Sequence, residues 1–329
     1  MKTRWRILFG TIILVVLAYL IQKMDFLEIY SILSSIKLKF FALSFVAFSL
    51  AMVVFSLRGM ISVRKILEPD FWFFLKTALA CSFVNVITPG AQVGGEPIRA
   101  YYLGKKYNKP KAKVFGAVLA DRIFHGMVSL FFVIASLLFI LTYIPVSREM
   151  KIIFQTILFF LLAFLALIFL LNLKRTKFNI IGFLRKMGVI KKIKNNPKIG
   201  NIEKHLGNFT NSFKKTFFNK KTMFFAILFS FAFWILEYLS AYFLFLSLEV
   251  KISFFLVIVV MSLGNLVGDL SPIPGGVGLV EGFMIFLYSL VGISLPAAII
   301  VSVLSRLIGY FHSLVLGGLS LLYLEKTLG

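Results

Sequence analysis

Thr88-Pro89-Gly90-Ala91-Gln92-Val93-Gly94-Gly95-Glu96 has a counterpart later in the chain, Ile273-Pro274-Gly275-Gly276-Val277-Gly278-Leu279-Val280-Glu281. Both stretches read Pro-Gly-x5-Glu, and they lie 185 residues apart. Each ends a long apolar block, 71–88 in the first case and 252–270 in the second. An arginine follows each glutamate at nearly the same distance, Arg122 after Glu96 and Arg306 after Glu281. Glutamate is scarce in this chain, so two of them at matched places beside matched breaks point to an internal repeat. Proline removes a backbone donor and glycine unwinds a helix, leaving polar groups that hydrocarbon cannot satisfy. Such breaks survive at membrane depth only where they are buried in protein or face a wet cavity.

Composition supports a membrane setting. The chain has 329 residues, is 60% hydrophobic and 15% charged, and has a mean hydropathy of +0.95. Soluble domains average roughly 45–50% apolar and about 25% charged residues, so an ordinary soluble fold is excluded. The single cysteine, Cys81, rules out an intramolecular disulfide. The fold expected is an all-α polytopic membrane protein of about six full transmembrane helices plus two re-entrant, Pro/Gly-broken helical hairpins arranged as an inverted repeat. A bilayer demands about 20 apolar residues in a helix, and the six candidate spans are Ile7–Ile21, which is short, Phe40–Leu57, Val114–Leu141, Ile152–Leu171, Met223–Leu248 and Ala297–Leu324. The first resembles a secretory signal, but no small-x-small cleavage site follows it, so it reads as a retained anchor.

Lys and Arg excess marks cytoplasmic loops. With the N-terminus inside, 58–65 (Arg58, Arg64, Lys65), 99–113 and 174–221 fall on the cytoplasmic side, and 271–296, which has no Lys or Arg, falls outside. Both termini are then cytoplasmic, and a multi-pass cell-membrane location follows. Segment 174–221 holds fourteen Lys/Arg against Glu203 alone. Within it Ile199, Ile202, Leu206, Phe209, Phe213 and Phe217 recur at helical spacing, as in a basic amphipathic helix lying on the inner leaflet. Nucleic-acid binding is the competing reading, and positive-inside charge accounts for the run without it.

The repeat divides the chain into 1–36, an anchor helix and external connector; 37–142, a first copy with a cytoplasm-facing hairpin at 71–106; 143–221, a linking helix and basic loop; and 222–329, a second copy with an outward-facing hairpin at 252–292. An odd number of crossings separates equivalent points, so the copies are inverted. Inverted repeats with broken helices are a transporter construction, with the substrate held near the midplane. Pro97 suits the first turn of a helix, so Gly94-Gly95-Glu96 would open one and present free N–H groups suited to a phosphate.

Glu96, Asp121, Arg122, Glu237, Asp269, Glu281 and Arg306 lie in or beside membrane segments, where charges pair or line a pathway. A planar guanidinium binds phosphate bidentately, so Arg99, Arg122 and Arg306 are candidate headgroup ligands, with Gly94, Gly95, Gly275, Gly276 and Gly278. Glu96, Asp121, Asp269 and Glu281 would hold those arginines, bind a cationic headgroup or carry a coupling proton. Pairing that only ties each hairpin to the next helix is the structural reading, and the two are compatible. Pro89, Gly90 and Pro274 are the helix breaks. Glu237 lacks a repeat counterpart and reads as helix–helix glue, while Asn85 and Asn265 could satisfy freed backbone. No metal site is expected from scattered His125, His205 and His312, and no cofactor.

Asn85-x3-Pro89-Gly90-x4-Gly95-Glu96-x2-Arg99, Asp121-Arg122, Pro274-Gly275-Gly276-x-Gly278-x2-Glu281-Gly282 and Arg306 resemble the lysylphosphatidylglycerol synthase transmembrane region, a flippase-like integral membrane family. The resemblance implies handling of phosphatidylglycerol-type or polyprenyl-phosphate-linked lipids and carries Glu96, Arg99, Asp121, Arg122, Glu281 and Arg306 over as hairpin and arginine residues. Bacterial multiple peptide resistance factors join such a region to a soluble aminoacyltransferase domain, which is not expected here. The function expected is an integral membrane lipid transporter that binds and translocates an anionic phospholipid or polyprenyl-phosphate-linked headgroup. Its partners would be anionic membrane lipids, with a homo-oligomer or a separate lipid-modifying enzyme also open. The alternatives are a membrane enzyme or accessory factor in lipid-linked sugar or aminoacyl-lipid metabolism, or a proton-coupled small-solute carrier. With no nucleophile beside the carboxylates, the chain reads as transporter-like, and whether it is also an enzyme stays open.

Overall fold

The computed structural model describes residues 34–88, 94–173 and 197–328. The expected opening span 7–21, the breaks Pro89 and Gly90, and the 174–196 part of the basic segment lie outside the described residues. All the regular structure described is helical: α1 Leu38–Val63, α2 Phe71–Ile87, α3 Gly95–Lys106, α4 Lys111–Tyr143, α5 Arg148–Leu173, α6 Pro197–Phe217, α7 Lys220–Ser247, α8 Phe254–Leu270, α9 Leu279–Leu290, α10 Leu295–Tyr310 and α11 Gly317–Leu328. Between α8 and α9 lies a short 3₁₀ turn, Pro274–Gly276, and α10 runs into α11 through a widened π turn, Phe311–Leu316. Among the described residues four helices, α1, α4, α7 and the continuous Leu295–Leu328, are long and apolar enough to cross a membrane. Ile152–Leu171 falls within α5, which is not one of these four.

Local chemistry starts these helices. The Asp70 carboxylate accepts a hydrogen bond from the Phe73 N–H at 2.8 Å, Asn219 Oδ1 accepts from the Thr222 N–H at 2.9 Å, and Ser253 Oγ from the Phe255 N–H at 3.3 Å. α2 and α8 have 17 residues each, and α3 and α9 have 12 each. A 12-residue helix is about 18 Å long and cannot cross a core of about 30 Å. Both helix pairs fold back as hairpins. At the open end of the first, the Tyr107 hydroxyl, just past α3, accepts from the Asp70 N–H at 2.8 Å. At its closed end Gly95 lies so close to α2 that an added Cβ would stand 2.1 Å from the Cys81 carbonyl oxygen. In the second, Gly264 of α8 faces Met284 of α9, where a Cβ would stand 2.7 Å from Met284 Cγ.

α1 and α7 pack on each other antiparallel. The Lys37 N–H donates to the Ser247 carbonyl at 2.9 Å, the Ser44 and Ser240 hydroxyls meet at 3.0 Å, and the Phe55 and Phe233 rings lie 5.9 Å apart. α2 packs on α11, and α8 packs on α4, where Ser136 and Ser262 meet at 2.8 Å. Gly317 permits the first of these, since a Cβ there would lie 2.5 Å from the Leu79 carbonyl oxygen.

α6 differs from its expected setting. Its aromatic ridge packs on protein: Phe209 lies 5.8 Å from Phe115, Phe217 stacks on Phe124 at 5.2 Å, and Thr216 donates to the Ser62 carbonyl at 3.3 Å. Gly116 of α4 receives the Phe209 backbone, which a Cβ would meet at 2.4 Å. An apolar stripe is satisfied equally by lipid tails or by a neighbouring helix, so periodicity alone could not distinguish them.

Candidate functional site

Between the two hairpins lies a cavity of about 210 Å³, whose wall takes residues from α1, α2, α4, α7, α8 and α10. Arg122 comes from α4 and Arg306 from α10, so the arginines that follow the two breaks line one space. Asp269, Asn265, Glu237 and Tyr310 also line it.

Arg306 is tightly held. Its Nε donates to Glu281 at 2.9 Å, and one terminal nitrogen donates to the Tyr310 hydroxyl at 2.7 Å and to the Gly275 carbonyl. The other oxygen of Glu281 accepts from the Gly278 N–H at 2.6 Å and so closes the start of α9. Gly275, Gly276 and Gly278 all have positive φ, of 62°, 66° and 80°. This left-handed path, which disfavours side chains, turns the Gly275 carbonyl toward Arg306.

Arg122 is held more loosely. It stands 3.6 Å from Glu96 of the first hairpin and 4.0 Å from Asp269 of the second, and 28% of its side chain is exposed. Both separations exceed an ordinary hydrogen bond, so its donors remain available. Asn85 Oδ1 accepts from the Gly95 N–H at 2.7 Å, closing the first hairpin as its place near the break implied. Asn265 instead donates to Glu237 at 3.1 Å. The N–H groups of Gly95, Gly276 and Gly278 thus have acceptors within the protein, on Asn85, Ile273 and Glu281.

Arg99 and Asp121 lie apart from the cavity wall, in a cluster beneath it. Arg58 donates through Nε and a terminal nitrogen to the two Asp121 oxygens at 2.9 and 3.1 Å, and the Ser62 hydroxyl donates to Asp121 at 2.9 Å. Arg99 stands 3.5 Å from the same carboxylate, its guanidinium over Phe74 at 4.4 Å and Phe55 at 5.3 Å. Gly59 makes room for it, because a Cβ there would overlap the Arg99 guanidinium. The expectation that Arg58 is a cytoplasmic loop charge is therefore corrected: it lies within α1 and is 1% exposed. Small residues at Ser56, Gly59 and Ser62 around it were the available signal. Tyr310, one turn after Arg306, was also not singled out from sequence.

The family model for the lysylphosphatidylglycerol synthase TM region matches residues 6–317. The chain belongs to this family. A lysylphosphatidylglycerol synthase TM-region protein of this kind has similar relatives among archaeal UPF0104 membrane proteins. One from Methanothermobacter thermautotrophicus is 27% identical, over 84% of this chain and 82% of its own length. One from Pyrococcus horikoshii is 31% identical over 75% of each chain. Another, from Methanocaldococcus jannaschii, is 28% identical over 92% of this chain and 89% of its own. The family assignment and the apolar helices together make this a multi-pass membrane protein.

Proposed function

We propose that the protein is a flippase-like transporter for lipids with an anionic headgroup, an anionic phospholipid or a polyprenyl-phosphate-linked lipid. The observation that carries this reading is the single cavity lined by both Arg122 and Arg306, one from each half of the chain. A cavity of about 210 Å³ has the volume of about seven waters, enough for a phosphate group while the tails stay in the bilayer. Arg122 contributes free donors, and Arg306 contributes fixed positive charge.

In this reading residues 37–142 and 222–329 are two inverted copies, with both termini cytoplasmic in the cell membrane. The antiparallel α1–α7 pair, the exchanged packing of α2 and α8, and the matched 17- and 12-residue hairpin helices support it. The hairpin at 71–106 opens from the cytoplasm and that at 252–292 from outside, and rocking of one copy on the other exposes the cavity to each side in turn. Anionic membrane lipids are its partners, and a second copy or a separate lipid-modifying enzyme can work beside it.

Reconstitution into liposomes carrying fluorescent phosphatidylglycerol tests the proposal, with dithionite reporting the outer leaflet. Exchange should be fast for the native chain and fall at least tenfold in the Arg122→Ala, Arg306→Ala double variant. Unchanged exchange in that variant removes the mechanism.

A further inference from the structure

The ion pairs of the cavity and of the cluster beneath it balance. Arg122 faces Glu96 and Asp269, Arg306 faces Glu281, and Arg58 and Arg99 share Asp121. Four guanidinium groups thus meet four carboxylates. Glu237 takes part in none of these pairs and, among the described residues, has no ion-pair partner. It stands past the middle of α7 in the cavity wall, and its carboxylate accepts one hydrogen bond, from Asn265.

Two physical consequences follow if Glu237 is ionised. A carboxylate without a cation at that depth is expensive. It also leaves the cavity and its supporting cluster with one excess negative charge, which repels the phosphate that Arg122 and Arg306 attract. A proton on Glu237 removes both penalties and preserves the hydrogen bond from Asn265, since a carboxylic acid keeps an accepting oxygen.

We propose that Glu237 takes up a proton together with the anionic headgroup, so that translocation is proton-coupled symport. The proposal rests on the lipid-transport reading and adds its energy source. The proton binds a carboxylate oxygen of Glu237 when the headgroup enters and leaves when it departs, and no other bond changes. Coupling is reciprocal: a proton that strengthens anion binding is itself bound more tightly once the anion is present. The other titratable or charged groups facing this cavity are Arg122 and His125 on α4, Asp269 on α8, and Arg306 and Tyr310 on α10; α1 contributes only uncharged side chains to the wall. His125 lies flat on Trp234, 4.8 Å away, and is the competing proton carrier.

The test titrates the full-length protein in detergent with short-chain dihexanoyl phosphatidylglycerol. The native chain should bind about tenfold tighter at about pH 6 than at about pH 8, a typical coupling magnitude. Glu237→Gln should bind with the low-pH affinity at both, and Glu237→Asp, which still titrates, should keep the pH ratio. A pH ratio that survives in Glu237→Gln but vanishes in His125→Asn overturns the proposal, as does native binding with no pH dependence, which leaves the lipid-transport reading standing. Absence of binding at both pH values removes the anionic-headgroup reading and this inference with it.

Discussion

Arg122 and Asp269 face each other at 4.0 Å, one on the long helix after the first break and the other on the helix that precedes the second. The same guanidinium lies 3.6 Å from Glu96. One cation is therefore shared between the hairpins and locked to neither. Arg306, by contrast, is bound to Glu281, Gly275 and Tyr310 within its own half.

That difference predicts the effect of removing Asp269. In Asp269→Asn, Arg122 loses a competitor for an incoming anion, and dihexanoyl phosphatidylglycerol should bind about five times tighter, a coupling of about 1 kcal/mol. Titration in detergent measures it. Weaker binding would mean that Asp269 holds Arg122 in its receptive position.

Arg58 predicts a stability effect without a site effect. Arg58→Ala leaves Asp121 buried with Arg99 as its remaining guanidinium, at 3.5 Å, and should cost about 3–5 kcal/mol. Arg58→Met with Asp121→Leu also removes the carboxylate and leaves the Arg99 guanidinium, 3% exposed, without one, so it should cost more than Arg58→Ala alone. Thermal unfolding of the three proteins in detergent gives the order. Equal losses would show that the cluster is not held by charge compensation.

The two hairpin glycines should respond unequally to alanine. At Gly95 the obstacle is the Cys81 backbone carbonyl, which cannot move without shifting α2. At Gly264 it is the side chain of Met284, which is flexible enough to change rotamer. Gly95→Ala should therefore destabilise by more than about 3 kcal/mol, and Gly264→Ala by about 1 kcal/mol. Comparison of their melting temperatures checks the ranking.

At the surface, Lys37 pairs with Glu249 beside the backbone bond from Lys37 to Ser247. The Lys37 ammonium holds the Glu249 carboxyl below the usual carboxylate range. A depressed folded-state value stabilises at neutral pH and loses that contribution as pH falls through it. The pair is solvent-exposed, so Lys37→Ala should barely change the neutral-pH melting temperature, and any difference should vanish in acid. A fall of several degrees at neutral pH contradicts this.

Much of the architecture was legible in residue order because a membrane constrains it so strongly. Long apolar runs had to be helices, and the second Pro-Gly-x5-Glu motif falls where α8 gives way to α9. The pairs Glu96–Arg122 and Glu281–Arg306 could be anticipated from spacing, because an arginine in a membrane segment needs a carboxylate nearby in the fold. Arg58 was misplaced because loop arginines and buried arginines look alike without the partner, and Asp121 lies 63 residues away. The apolar face of α6 was assigned to lipid for the same reason: hydrophobic periodicity says that a face is covered, not by what.

Sequence alone thus determined the membrane-helical class and the family, since these depend on local composition and spacing. Only the tertiary structure decided which charges meet. Arg122 reaches Asp269, Arg58 closes on Asp121, and Glu237 faces a cavity with Asn265 as its hydrogen-bond donor, because packing α8 on α4 and α7, and α1 on α4, brings together residues far apart in the chain. The physical reason is range: a helix or a break is fixed by neighbours a few residues away, whereas electrostatic pairing in a low-dielectric interior is fixed by contacts that exist only after the helices have docked.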